Sequence, residues 1–179
     1  MRYFNFNWLF VALVSMTSAY GAPLEMKEIR YRGGVVNFSV PKNWVEASEP
    51  DGGAMFYEDA PDTGTLRLNL ITAKSPHPLS DDAAFERLAT MKSVTAGSLQ
   101  RLKNGNAIGT SILRSTEQGQ AITIFWWYLT NPVYPNHMRM ANFSYTVLTE
   151  KEGSETVKRE VQLLTEAIKN ARFYPTLGE

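Results

Sequence analysis

Alternation of apolar and polar residues predicts a chain built mainly of β-strands. Leucines occupy every second position of residues 65–70, which places them on one face of a strand. Weaker alternation over 26–31 and 35–40 flanks Gly33-Gly34, a dipeptide typical of hairpin turns. Further strands are predicted at 54–57, at 99–103 leading into 107–115, at 121–130 and at 138–149.

Two segments have helical patterns instead. Ser80 is a suitable N-cap and is followed by two aspartates, so a helix is predicted to begin there and to stop near Gly97. A second, amphipathic helix is predicted to begin near Ser154 and to end before Pro175. Its apolar positions recur three or four residues apart, at Val157, Val161, Leu164 and Ile168.

The order of these elements predicts an α+β fold. Consecutive strands joined by short turns indicate an antiparallel sheet, here of about six strands flanked by two main helices. The strand at 121–130 is apolar on both faces. It should therefore be central, covered by helices on opposite faces or by one helix and a loop or hairpin layer. Trp126 and Trp127 point to opposite sides of this strand, so we expect both to be mainly core residues.

One motif carries a family resemblance. In Val36–Trp44, a predicted strand runs into Pro41-Lys42-Asn43-Trp44, which resembles the opening of Mog1/PsbP-like domains. The closing helix followed by Phe173-Tyr174 is similar to the end of such domains. In element order, the resemblance covers most of the chain after its first segment. It implies a scaffolding or partner-binding module, with bacterial members that are exported or effector-associated, and it carries over no catalytic residue.

The first 21 residues have the three parts of a secretory signal peptide. One early arginine, a short apolar run over 8–14 and small residues up to Gly21 follow in the expected order. Cleavage after Ala19 or after Gly21 fits this pattern, and the remaining residues 22–179 form a single predicted domain. The apolar run is shorter than the roughly 20 residues that span a bilayer. We therefore expect a periplasmic or secreted protein with no stable membrane insertion after cleavage.

Composition excludes several classes of function. Eighteen basic and eighteen acidic residues give a formal charge of zero, so a basic surface for nucleic acid is not expected. The chain has no cysteine, which excludes disulfides, thiolate nucleophiles and thiolate zinc sites.

No catalytic, cofactor or metal site is predicted. The two histidines, His77 and His137, lie in proline-containing stretches, and a zinc site would need about three converging ligands. Asp59 and Asp62 belong to the acidic turn 58–64. We interpret this turn as solvated; a divalent-cation loop is the alternative.

Candidate partner-binding residues come from two loops. The stretch 131–137 contains two prolines, and a rigid loop that presents Val133, Tyr134 and His137 would lose little entropy on binding. The carboxylates of Asp59 and Asp62 complete the set. A polar side of the sheet could be either a solvent face or a pocket wall, and it comprises Arg67, Asn69, Asn142, Ser144 and Thr146.

These observations lead to three hypotheses of function. The first is an exported, non-catalytic protein-binding module whose partner is another protein, such as a periplasmic immunity protein or an envelope accessory protein. The second is a small-ligand or metal-binding periplasmic protein with a pocket between sheet and helix. The third is an envelope hydrolase, for which two histidines and no thiol offer few chemical groups.

Overall fold

The computed structural model describes residues 24–174. The predicted leader and the start of the mature domain lie outside these residues. The strands are β1 (Met26–Tyr31), β2 (Val36–Pro41), β3 (Val45–Ser48), β4 (Ala54–Tyr57), β5 (Thr65–Lys74), β6 (Gln100–Arg101), β7 (Ala107–Glu117), β8 (Gln120–Val133), β9 (His137–Leu148) and β10 (Arg172–Phe173). The helices are α1 (Ala83–Ala89) and α2 (Glu155–Lys169).

The described strands form two antiparallel sheets rather than one. The larger sheet has seven strands in the order β3-β4-β5-β9-β8-β7-β6, and the smaller has three in the order β1-β2-β10. The α+β class and the antiparallel pairing are confirmed, whereas the expected single sheet of about six strands is too simple. β3 is short and mostly exposed, and β10 pairs with β2 across more than 130 residues of sequence, Arg172 with Asn37. Neither strand is predicted from the sequence, since β3 has only four residues and β10 only two.

The main core lies on one face of the seven-stranded sheet. The small sheet and α2 cover this face together, and the core includes Phe38 of β2, Leu164 of α2 and Phe143 of β9. The Phe38 ring meets Phe56 and Phe143 edge to face, with centroids 5.4 and 5.1 Å apart. Together with α1 on the opposite face, this arrangement matches the first of the two expected covers, helices on opposite faces of the central strand.

The opposite face of the seven-stranded sheet carries α1. Its Leu88 is fully buried in a second, smaller core with Tyr128 and Ala107. α1 is much shorter than predicted, because the chain after Ala89 forms turns before Gly97. Ser80 does not cap α1; its hydroxyl donates instead to the carboxylate of Glu86, at 3.0 Å.

The second predicted helix is confirmed at its beginning. Ser154 is the N-cap of α2, and its hydroxyl oxygen accepts a hydrogen bond from the Val157 N–H at 3.2 Å. Val157, Leu164 and Ile168 are buried against the sheet, as the spacing predicts. No helix among the described residues is both long and apolar enough to cross a bilayer.

Candidate functional site

The loop between β8 and β9 is shorter than the sequence suggested. β8 continues to Val133, and that side chain is only 5% exposed. The expectation that Val133 is exposed is therefore wrong, because β8 continues through Pro132 and keeps Val133 in the sheet, opposite His137. Tyr134 is 56% exposed, and His137 is half-buried as the first residue of β9.

The acidic turn lies at the other end of the sheet. Asp59 and Asp62 are exposed and precede Thr65, where β5 begins. His137 pairs with Lys74, where β5 ends. Nine residue steps of extended strand span about 30 Å. The structure therefore does not bring the two predicted groups together.

The two histidines lie at one end of the sheet. The stretch that contains His77 is joined to the β8–β9 loop by a hydrogen bond from Ser75 N–H to Asn136 C=O at 2.7 Å. Within residues 24–174, no group of three or more His, Asp or Glu side chains is placed to hold a metal ion.

The polar side of the sheet converges as one surface. Arg67 pairs in register with Ser144, and Asn69 pairs with Asn142. Arg67 also forms an ion pair with Glu49 at 3.0 Å. Because cross-strand partners share a face, these side chains form a continuous polar strip on the face that carries α1.

The two adjacent tryptophans divide between the two faces of the sheet. Trp127 is buried in the main core, and its indole N–H donates to the Thr165 hydroxyl at 3.0 Å. Trp126 is only half-buried and stacks on Tyr128, with centroids 5.7 Å apart. Trp126 is paired in register with Ser144 and therefore borders the polar strip.

The outer side of β7 is paired over only a short length. β6 pairs with β7 up to Ile108. Two residues further on, the backbone of Thr110 also points outward. Its carbonyl accepts from the Thr95 N–H at 2.9 Å, and its N–H donates to the Ser98 hydroxyl at 3.0 Å.

Beyond Thr110, the outer side of β7 at residues 111–117 has no neighbouring strand within residues 24–174, and we call this free edge the β7 edge. Backbone groups of an antiparallel strand point alternately to its two sides. The N–H and C=O groups of Ile112, Arg114 and Thr116 must therefore point outward, like those of Thr110. No strand pairs with them on that side in the described part of the chain.

Two apolar side chains accompany this row of free backbone groups. Ile112 is 58% exposed, and Leu113, on the opposite face, is 51% exposed. Natural proteins commonly protect free strand edges with charged side chains. Arg114 is instead engaged with Glu152 through two hydrogen bonds of 3.1 and 2.7 Å.

Glu152 pairs with Arg114 at the protein surface. Hydrogen bonds from Arg114 and then from Thr123 keep the pKa of the Glu152 carboxyl below its ordinary value. Thr123 lies on β8, directly opposite Arg114 in register. Glu152 follows β9, and β8 lies between β9 and β7. The Arg114 guanidinium therefore extends over β8, away from the free edge, to reach Glu152.

Sequence reasoning missed this edge. The pattern predicts a five-residue strand at 99–103 leading into the strand at 107–115, which would pair with no more than about five residues of β7. Only Gln100 and Arg101 form the strand β6. No residue pattern marks the short length of that pairing, because pairing depends on where the preceding turns place the chain.

Solved structures share the architecture. Neither a protein-family model nor a curated protein matches the sequence. A protein from Bacteroides thetaiotaomicron aligns over 86% of this chain with a TM-score of 0.59 and 19% identity. The aligned part is 50% of that protein, so the chain spans half of its length.

LpqN of Mycobacterium tuberculosis, described as involved in cell envelope biogenesis, aligns over 87% of this chain and 88% of its own. The TM-score is 0.54 and the identity 12%. Cyanobacterial PsbP from Synechocystis aligns over 90% of this chain and 99% of its own at 12% identity, with a TM-score of 0.37, too low to support a shared fold. The likeness to LpqN shows a shared fold and no more: the α+β architecture is confirmed, whereas no family match confirms the Mog1/PsbP-like resemblance.

Proposed function

We propose that this protein is a non-catalytic, protein-binding module of the cell envelope, and that its partner adds a strand to the β7 edge. The observation that carries the proposal is the free edge itself. Among residues 24–174, no strand pairs with the outward N–H and C=O groups of Ile112, Arg114 and Thr116, which lie beside two exposed apolar side chains. Strand addition of this kind gives affinity through the backbone and specificity through alternate side chains.

The position of the edge suits an extended segment of another protein. Ile112 and Leu113 lie on opposite faces, so an added strand could contact one apolar side chain on each face of the sheet. The Arg114 side chain is already paired with Glu152. It therefore leaves the outward backbone groups of the β7 edge accessible. Asp59 and Asp62, which the sequence also offers as partner-binding residues, precede β5. β9 and β8 lie between β5 and β7, so these two strands are three strand spacings, or about 14 Å, apart.

The cellular setting is part of the same proposal. The predicted leader directs the chain out of the cytoplasm, and the fold is shared with LpqN, a protein of cell envelope biogenesis. Of the two forms expected from the sequence, an envelope accessory protein is therefore favoured over an immunity protein. We propose both that the partner is a protein and that the module itself is not catalytic.

Amide hydrogen exchange tests the edge directly. The protein is expressed with its own leader in its source organism, and a stoichiometric complex is purified from the envelope. We expect the amides of Ile112, Arg114 and Thr116 to become at least tenfold more protected in the complex. The amides of Leu113 and Ser115 already face β8 and should change little. A complex that leaves the edge amides unchanged would show that the partner binds elsewhere.

A proline substitution provides the matched variant. Ile112→Pro removes an N–H that points away from β8, so the existing ladder keeps its hydrogen bonds. We expect partner binding to fall at least tenfold with little change in Tm. Ile112→Thr, which keeps the N–H, should retain more binding than Ile112→Pro. Turnover of an envelope substrate by the purified protein, abolished by one substitution, would contradict the proposal and support an enzyme.

A further inference from the structure

A cleft lies on the α1 side of the seven-stranded sheet, away from the β7 edge. It has a volume of about 560 Å³, within the range of roughly 300–1,000 Å³ that is common for small-molecule sites. β5 and β9 form its floor, α1 forms one wall, and the chain between β5 and α1 closes one end. Its lining residues are Ile71, Ala73, Lys74, Ser75, Leu79, Ala83, Glu86, Arg87, Thr90, Met138 and Met140.

The floor of the cleft is apolar. Ile71 pairs with Met140 and Ala73 pairs with Met138, so the four side chains form two adjacent pairs on one face. Ile71 is 48% exposed although it sits within a long strand. Methionine side chains are unbranched and flexible, and they adapt well to irregular apolar ligands.

The α1 wall follows helical periodicity. Ala83, Arg87 and Thr90 are spaced by four and three residues and share the α1 side that lines the cleft. The helix is fixed to the sheet beneath it, because the buried Thr130 hydroxyl donates to the Ala84 carbonyl at 2.8 Å.

The closing end of the cleft is also tied down. The Leu79 N–H donates to the Pro135 carbonyl at 2.8 Å, and Ser75 is bonded to the neighbouring Asn136. With α1 held by its own bond, both walls exist before a ligand arrives. A preformed site lowers the entropic cost of binding.

The polar groups of the cleft favour an anion. Lys74 and Arg87 are both exposed, and neither forms an ion pair with any side chain among residues 24–174. Glu86 is the one acidic residue in the lining, and it accepts a hydrogen bond from Ser80. The cleft therefore combines an apolar floor with an excess of positive charge.

We propose that this cleft binds a single-chain amphiphile with an anionic head group. The apolar chain lies over Ile71, Met138 and Met140, and the head group is held by Lys74 and Arg87. The inference does not depend on the proposed partner at the β7 edge, because the cleft is formed by β5, β9 and α1 and shares no residue with that edge.

A series of head groups on one chain tests the chemistry. Calorimetric titrations use decanoate and decyltrimethylammonium below their critical micelle concentrations and decanol below its solubility limit, with the protein expressed with its own leader. We expect decanoate to bind at least tenfold more tightly than the other two. Equal binding of all three, or no binding of decanoate, would overturn the proposal. Binding to phosphatidylglycerol vesicles without binding of free decanoate would identify a membrane surface and also overturn it.

Two further measurements locate the site. The double variant Lys74→Glu/Arg87→Glu should weaken decanoate binding at least tenfold, whereas Lys103→Glu, an exposed lysine in a turn outside the cleft, should leave it unchanged. With ¹³C-methyl methionine, decanoate should shift the resonances of Met138 and Met140 but not that of Met26. Shifts at Met26 alone, or equal losses in both charge variants, would exclude this cleft.

Discussion

A tyrosine and a glutamate meet inside the core, where α2 crosses the seven-stranded sheet. The Tyr145 hydroxyl donates to the Glu160 carboxylate at 2.5 Å. Burial, followed by the hydrogen bond to Glu160, raises the pKa of Tyr145. Burial also raises the pKa of Glu160, and the bond from Tyr145 opposes that effect. Gly64 permits this arrangement, since a Cβ at that position would lie 2.1 Å from the tyrosine oxygen.

The raised pKa of Glu160 has a defined consequence for stability. A carboxyl group with a raised native pKa favours folding most when it is protonated. Its contribution is therefore full below its ordinary pKa and is lost as the pH rises through the raised native value. The carboxylate of Glu58 acts in the same direction, whereas Arg159 acts against it.

At the residue scale, we predict that Glu160→Gln removes this pH dependence. The glutamine carbonyl can still accept from Tyr145 but carries no buried charge. The variant should be more stable than the natural protein at about pH 8, with the difference shrinking towards about pH 4. Denaturant unfolding at several pH values measures it. A difference that grows as the pH falls would contradict the assigned direction of the shift.

Tyr145→Phe provides the complementary variant. It leaves the Glu160 carboxylate buried without its donor, which typically costs about 1–3 kcal/mol. The loss should be smaller in acid, where Glu160 is protonated. Equal losses at both extremes of pH would show that the hydroxyl acts only through packing.

At the scale of single elements, the two helices differ in how they begin. α2 has a hydrogen-bonded cap at Ser154, and its apolar positions match the surface beneath. α1 begins after Asp82, which makes no side-chain cap bond, and is seven residues long. Short helices are marginal without tertiary contacts. The stability of α1 therefore rests on Leu88 and on the bond from Thr130 to Ala84.

We predict that Ser154→Ala destabilises the protein by about 1 kcal/mol, the usual effect of removing an N-cap side chain. The Val157 N–H would lose its acceptor at the beginning of α2. Thr156→Ala is the matched control, since Thr156 is exposed in the first turn and alanine has the higher helix propensity. The two variants are compared by their denaturant midpoints. Equal losses in both would indicate that the cap contributes nothing.

At the scale of the whole molecule, one core joins the two sheets. Phe38 of the small sheet contacts Phe56 and Phe143 of the large sheet. α2 packs on the same core. The small sheet has only three strands, one of two residues, and so small a sheet gains most of its stability from the surface it covers.

We therefore predict that Phe38→Ala lowers the free energy of unfolding by about 3–5 kcal/mol. Because both sheets share the core, calorimetry should still show one transition, shifted downwards by about 2–4 °C for each kcal/mol. Leu113→Ala, which truncates an exposed apolar side chain, should cost less than about 0.5 kcal/mol. Separate transitions for the two sheets would contradict a shared core.

The sequence by itself determined the local elements. The alternating leucines predict the strand that begins at Thr65, and Gly33-Gly34 predicts the turn between β1 and β2. Ser154 predicts the beginning of α2. The structure has all three features. Each of these features depends on residues a few positions apart, for which backbone geometry and side-chain spacing are sufficient. The antiparallel class followed from the same local order.

Only the tertiary structure decided which strands are neighbours. The division into two sheets, the burial of Val133 and the convergence of Arg67 with Ser144 depend on pairing between distant segments. Long-range packing likewise decides that, within residues 24–174, no strand pairs with the β7 edge at Ile112 and that a cleft lies beside α1. Such features are set by long-range packing and register, which a single sequence does not encode at any one position.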